Sequence, residues 1–196
     1  MADGAQNAPL IGERILVVGV SSTGKSTLAE HLADLVGGAF VELDALFWLP
    51  QWREPRTEDF QTKVIAALDG ADRWAVAGNY NSRGIPDIVL PRADTLIWID
   101  LPLRTTMPRL IRRTWRRWRN RELLWGTNRE VITEHLKVWS NDSLVGYSLR
   151  HNRETRRRQT ARFADPRWRH LRRHRLRSPS EVTRFLDQVE REVTDG

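Results

Sequence analysis

Gly19-Val20-Ser21-Ser22-Thr23-Gly24-Lys25-Ser26 is the stretch on which the reading of this 196-residue chain turns. It has the form G-x-x-x-x-G-K-S, the pattern of a phosphate-binding loop. The spacing has a physical cause. Glycines at both ends allow backbone angles that a side chain would block, so successive N–H groups can turn inward around a phosphate. Lys25 sets an ammonium group near the outer phosphates, and the Ser26 hydroxyl is placed to ligate Mg²⁺. The flanks agree. Arg14-Ile15-Leu16-Val17-Val18 is an apolar run suited to a buried parallel strand. After the loop, Leu28, Leu32 and Leu35 recur at helical spacing as far as Gly37-Gly38. The loop therefore opens a helix, whose N-terminal dipole favours an anion. Gly19, Ser21, Ser22, Thr23, Gly24, Lys25, Ser26 and Thr27 are the expected phosphate and nucleotide contacts.

Composition narrows the rest. The length suits one domain with an insert and lets about 70% of the unfolded surface be buried. The absence of cysteine excludes disulfides, thiolate metal sites and a cysteine nucleophile. No apolar run reaches the length of a membrane span. Met1 to Ile11 lacks the basic start and apolar stretch of a signal peptide. It reads as a disordered leader over residues 1–13, ahead of a single domain over 14–196 in a cytoplasmic protein. The net charge of +7 hides an asymmetry: residues 104–177 hold 21 arginines and one lysine against six acidic residues, and the remainder carries −9. Guanidinium groups grip phosphate with paired hydrogen bonds, so an anionic partner is expected.

Further strands and their ends follow in order. Ala39-Phe40-Val41-Glu42-Leu43 reads as a second strand ending at Asp44. In an open parallel sheet the C-terminal strand ends line the ligand crevice, so Asp44 either serves Mg²⁺ and the acceptor hydroxyl or caps the next helix. Trp48 and Trp52 form either an acceptor wall or core packing. Thr57 opens a helix with Phe60, Val64 and Leu68 on one face. Arg73-Trp74-Ala75-Val76-Ala77 is the third strand, and Gly78 beyond it admits close approach. Asn79 and Arg83 then either bind the acceptor or form a solvated turn. Thr95 to Ile99 is the fourth strand, and Asp100 at its end is a metal ligand or a cap. The helix from Thr105 is predicted to hold Pro108 in its first turn and Met107, Leu110, Ile111 and Thr114 on one side. Arginines follow, interleaved with Trp115 and Trp118. A further helix is expected over 129–139. A basic edge strand is expected near 169–175, and a last helix is capped by Ser178, Pro179 and Glu181.

Gly19–Ser26, Leu43-Asp44, Ala77-Gly78-Asn79-Tyr80, Leu96 to Pro102 and Leu176-Arg177-Ser178-Pro179 occur in that order. Together they resemble the small P-loop kinases of the adenylate and shikimate kinase type, most closely the bacterial topology-modulation (adenylate-kinase-like) proteins. The resemblance implies an α/β, three-layer P-loop NTPase fold with a five-stranded parallel sheet of order 2-3-1-4-5. It implies ATP as donor, Mg²⁺ as cofactor, and an arginine-rich helical lid over about 112–158. Arg112 and Arg116, one turn apart, are the candidate catalytic arginines beside Lys25 and Asp44, and Arg153 and Arg157 repeat their spacing. Arg177 and Pro179 would border the adenine. One departure stands out. Related proteins often end the third strand in an aspartate that holds Mg²⁺ through water, and here that position is Ala77. The metal would then rely on Ser26 with Asp44 or Asp100.

These residues point to a kinase acting on a nucleotide, nucleoside or other small-molecule acceptor, with no membrane partner; the oligomeric state is not legible. Two alternatives remain open. The basic block with Trp115, Trp118 and Trp125 also suits a nucleic-acid-associated ATPase. Ala77 also suits a nucleotide-binding regulator with little turnover.

Overall fold

The computed structural model describes residues 9–129 and 144–195, with the backbone path alone for 144–151. In chain order the elements are β1 (Arg14–Gly19), α1 (Lys25–Leu35), β2 (Ala39–Glu42), α2 (Leu43–Phe47), α3 (Thr57–Asp69), β3 (Trp74–Ala77), α4 (Ile85–Val89), β4 (Thr95–Ile99) and α5 (Leu103–Arg119). A small hairpin of β5 (Leu123–Leu124) and β6 (Asn128–Arg129) follows, then α6 (Leu144–Ala164), β7 (Arg172–Leu176) and α7 (Pro179–Asp195). Five strands pair in parallel in the order β2-β3-β1-β4-β7. This is the expected topology, with β7 as the fifth strand. The expected helix over 129–139 and much of the expected lid fall on residues outside the described ones.

Side-chain alternation explains the three layers. Successive residues of a strand face opposite sides of the sheet. Leu16 and Val18 of β1 join Leu96 and Trp98 of β4 against Phe60 and Val64 of α3 and Val89 of α4. Ile15 and Val17 join Ile97 and Ile99 on the other face, against Leu28 and Leu32 of α1 and Phe185 and Val189 of α7. Both faces are apolar, which is why the central strands read as continuous hydrophobic runs. β7 escapes that rule because it is an edge: Arg175 lies opposite Trp98 in register, with its guanidinium 4.1 Å from the indole ring centre.

Three local expectations change. Pro108 lies inside α5, beyond its first turn, because Pro102 in extended conformation sets the helix start at Leu103; the missing N–H removes the bond to the Arg104 carbonyl. Leu110 and Thr114 are buried, but Ile111 is 58% exposed, so the helix is rotated relative to the expected face. The chain is also packed ahead of residue 14. Ile11 is buried, and the Leu10 N–H donates to Glu192 at 2.9 Å.

His174 of β7 ties this N-terminal segment down. Its Nε2 lies 2.7 Å from the Leu10 carbonyl oxygen, and its ring packs 4.8 Å from that of Phe185. Burial lowers the imidazole pKa below its ordinary 6.5; Arg172 adds to this, while the Leu10 carbonyl and Glu192 oppose it. The unfolded chain therefore takes up a proton that the native chain resists. Stability from this site is full above pH about 6.5 and declines as the pH falls toward the lower native value. Urea unfolding between pH 8 and pH 5 is expected to show this loss, and His174→Gln is expected to flatten it.

Candidate functional site

The phosphate loop is built by steric exclusion and internal bonding. A Cβ on Gly19 would lie 2.9 Å from the Ile99 carbonyl oxygen, so only glycine lets β1 run into the loop there. Asn79 clamps this residue through both of its main-chain polar groups: Nδ2 donates to the Gly19 carbonyl at 2.8 Å, and the Gly19 N–H donates to Oδ1 at 3.3 Å. Asn79, a candidate acceptor contact, is thus placed at the base of the loop. Buried Thr23 donates to the Val20 carbonyl at 2.9 Å. Ser22 (φ 61°) and Gly24 (φ 92°) take left-handed conformations, which turn the loop around its centre. The Ser22 hydroxyl oxygen is buried with no hydrogen-bond partner. Ser21 and Thr27 are exposed, one at each end of the loop. The Lys25 ammonium is held below its ordinary pKa by burial. Asp44 opposes that shift, Arg113 adds to it, and Glu42 opposes it.

The carboxylate at the loop is Glu42, which sequence reading passed over as a strand residue. Ser26 Oγ donates to Glu42 Oε1 at 2.9 Å, and the Trp125 indole N–H donates to Oε2 at 3.1 Å. Glu42 pairs in register with Ala77, so it stands one strand over from the position where the resemblance led an aspartate to be expected. The available signal was a lone acid at the C-terminal end of an apolar strand. Asp44 lies two residues on, in the first turn of α2. Its Oδ1 accepts the Tyr80 hydroxyl at 2.7 Å. Burial, then the Asp44 carboxylate, drives the Tyr80 pKa far up, so the phenol stays a donor.

Aromatic rings wall this side. Phe47 packs on Trp48, Phe60 and Tyr80 at 4.6–5.0 Å, and Trp48 leads to Trp52 and then Trp125. Arg83 lies over the Phe47 ring and is paired with Glu54 and the Thr57 hydroxyl. Gly78 (φ 147°) must be glycine, since a Cβ would sit 2.8 Å from Leu43.

The arginines are placed differently from expectation. Arg112 and Arg116 lie on the exposed face of α5, and Arg116 bonds Glu122 at 3.2 Å. Arg113, one position on, acts on Lys25 and shares the inner face with Arg117. Arg153 and Arg157 are exposed, and between them Arg156 bonds Asp100 Oδ1 at 2.6 Å. Arg175 takes Asp100 Oδ2 at 2.7 Å. Both oxygens of Asp100 are thereby engaged by guanidinium groups, and the carboxylate in contact with Ser26 is Glu42. Arg177 is exposed, its N–H bonded to Glu181 at 2.8 Å, and Pro179 is the first residue of α7.

The chain has a three-layer P-loop NTPase fold. It superposes on a gluconokinase from Sinorhizobium meliloti 1021 with a TM-score of 0.51 at 16% identity, over 96% of this chain and 94% of that one. A sugar kinase from Janibacter sp. HTCC2649 gives a TM-score of 0.44 at 18% identity, over 90% of this chain and 95% of that one. At 16% identity the likeness to the gluconokinase is one of fold. No protein-family model matches the sequence, and no curated protein is similar to it in sequence.

The residues at hand suit Mg²⁺ with a nucleotide. Among the described residues no group of three or more His, Cys, Asp or Glu could cage a metal. Mg²⁺ needs no such cage: one or two carboxylates, a hydroxyl, waters and phosphate oxygens serve it. Ser26 and Glu42 supply hard oxygen donors, and the orphaned Ser22 hydroxyl sits in a loop shaped for an anion. Asp100 offers a test of what its own pairing does. Asp100→Ala would leave Arg156 and Arg175 without their shared counter-charge. Because both guanidiniums are partly exposed, the expected loss is about 2 kcal/mol, below the figure for fully buried pairs, read as a shift in urea midpoint.

Proposed function

We propose that the chain is an ATP-dependent kinase that transfers the γ-phosphate of Mg-ATP to a hydroxyl or phosphate of a small-molecule, nucleoside or nucleotide acceptor. The observation that carries this reading is the pair of carboxylates beside the phosphate loop, Glu42 bonded to Ser26 and Asp44 bonded to Tyr80; the charge of Arg113 from α5 also bears on Lys25. A loop that only binds nucleotide has no need of the second carboxylate beside an aromatic wall. The closer subtype, the topology-modulation proteins, rests on the short sequence motifs alone.

The division of labour follows from the chemistry. Main-chain N–H groups from Gly19 to Ser26 hold the phosphates, and Lys25 neutralises the outer ones. Ser26 and Glu42 would hold Mg²⁺, which supplies charge neutralisation across the phosphates. The Ser26 oxygen can ligate with a lone pair while its O–H still donates to Glu42. Asp44, oriented by the Tyr80 hydroxyl, receives the acceptor's hydroxyl proton. Phosphoryl transfer asks mainly for positioning and charge stabilisation, and the proposal gives the latter role to Arg113, whose charge bears on Lys25.

The test is a panel of acceptors with labelled ATP. Lys25→Ala is expected to abolish transfer and nucleotide binding together. Arg113→Ala is expected to lower kcat by about 10³ or more, whereas Arg112→Ala and Arg116→Ala are expected to stay within about threefold. Equal effects from all three arginines would remove Arg113 from the site.

One observation favours a second reading. Ile111, Trp115 and Trp118 form an exposed stripe on α5, with the two indoles 5.1 Å apart, flanked by Arg112, Arg116 and Arg119. Such a face suits stacking on a single-stranded nucleic acid. Trp125 has no part in it, being turned to Glu42. Affinity for an oligonucleotide that falls steeply with salt and is lost in a Trp115→Ala/Trp118→Ala variant would support this reading; affinity untouched by those changes would end it. No described helix is long and apolar enough to cross a membrane.

A further inference from the structure

The tip of the β5–β6 hairpin reaches the loop carboxylate. Trp125 and Gly126 turn the tip with φ of 48° and 76°. The hairpin is fastened to the segment ahead of α3 by a buried asparagine. Asn128 is 1% exposed. Its Oδ1 accepts the Trp52 N–H at 2.8 Å, and its Nδ2 donates to the Leu49 carbonyl at 3.1 Å. The Trp52 indole N–H in turn donates to the Arg129 carbonyl at 2.8 Å. The Trp52 and Trp125 rings meet edge to face at 5.8 Å. At the end of this scaffold the Trp125 N–H takes one oxygen of Glu42 while Ser26 takes the other.

We propose that Trp125 is a positioning residue for the metal side of the site, acting through Glu42. The proposal rests on the reading of Ser26 and Glu42 as the Mg²⁺ side. A glutamate carboxylate swings on three rotatable bonds, and one hydrogen bond leaves most of that freedom. Two donors on its two oxygens fix its plane. The indole N–H is a donor with no acceptor atom, so it orients the carboxylate without competing for the cation. Partners that orient the ligands of a metal commonly tune its binding by about 10–100-fold. The hairpin is also packed on Trp52, so the same ring links the carboxylate to the aromatic wall on the acceptor side.

The test uses the full chain and a non-hydrolysable ATP analogue, titrated by calorimetry with magnesium and again with a chelator. The ratio of the two affinities measures what the metal adds. Trp125→Phe keeps the ring and removes the N–H. It is expected to lower the ratio about tenfold and leave the chelator affinity unchanged. Trp125→His, which keeps a ring N–H, is expected to recover part of it. In a Glu42→Gln background the Trp125→Phe change is expected to add nothing, because its route runs through Glu42. An unchanged ratio, an equal loss in both backgrounds, or a loss of chelator affinity would each overturn the assignment. A wild-type chain that binds no analogue in either condition would instead bring down the phosphate-loop reading itself.

Discussion

The hydrogen bond from Ser26 to Glu42 joins the helix that follows the phosphate loop to the strand that leads to the acceptor side. Its position follows from the sheet. Ser26 is the second residue of α1, and Glu42 the last of β2. Leu43 is fully buried and sits so close over Gly78 that no Cβ fits there. With Leu43 held inward, its two acidic neighbours are both left at the crevice, and each acts on Lys25. One apolar anchor thus sets two carboxylates, and glycine at 78 is what lets the anchor in. Asn79, next along the chain, locks Gly19 at the root of the loop through its N–H and its carbonyl. The segments after β2 and β3 therefore hold the loop in shape as well as lining the space beside it.

α5 shows how a helix can serve two surroundings. Thr106, Leu110 and Thr114 are buried on one side, and Arg113 and Arg117 flank them. Ile111, Trp115 and Trp118 stand exposed on the other. The run carries arginine at 112, 113, 116 and 117, so two overlapping pairs share the same one-turn spacing. Periodicity alone is silent between them. Only the packing of Leu110 and Thr114 against the body sets the rotation, and it brings the second pair inward.

That is the general pattern of what could be read in advance. The loop, the four apolar strands and α3 were legible because burial on both faces or at helical spacing leaves a repeated apolar signature. The capping of α7 was legible because Ser178 accepts from the Glu181 N–H. Asp44 could be found as an acid just past a strand. Glu42 gave a weaker signal, an acid ending a four-residue strand, which looks like ordinary alternation until Ser26 is placed beside it. The hairpin carries only two pairs of residues, too few for any periodic signal. The arginine block misled in another way. It suggested a basic surface, yet Arg156 and Arg175 share Asp100, Arg116 bonds Glu122, and Arg162 bonds Asn81. A local charge balance counts these groups as free when folding has partnered them.

The alanine at position 77 takes on a different meaning in this arrangement. Neighbouring strands lie about 4.8 Å apart, and Glu42 is the register partner of Ala77. A carboxylate moved from β3 to β2 is displaced by a single strand spacing, and glutamate is one methylene longer than aspartate. From β2, Glu42 brings an oxygen to the Ser26 hydroxyl at 2.9 Å. The move has a cost, because a longer side chain has more rotamers to lose. The second donor, Trp125, answers that cost by holding the far oxygen. On this argument an acid reaching in from β2 gains from a brace on its far oxygen, and the indole at 125 supplies one.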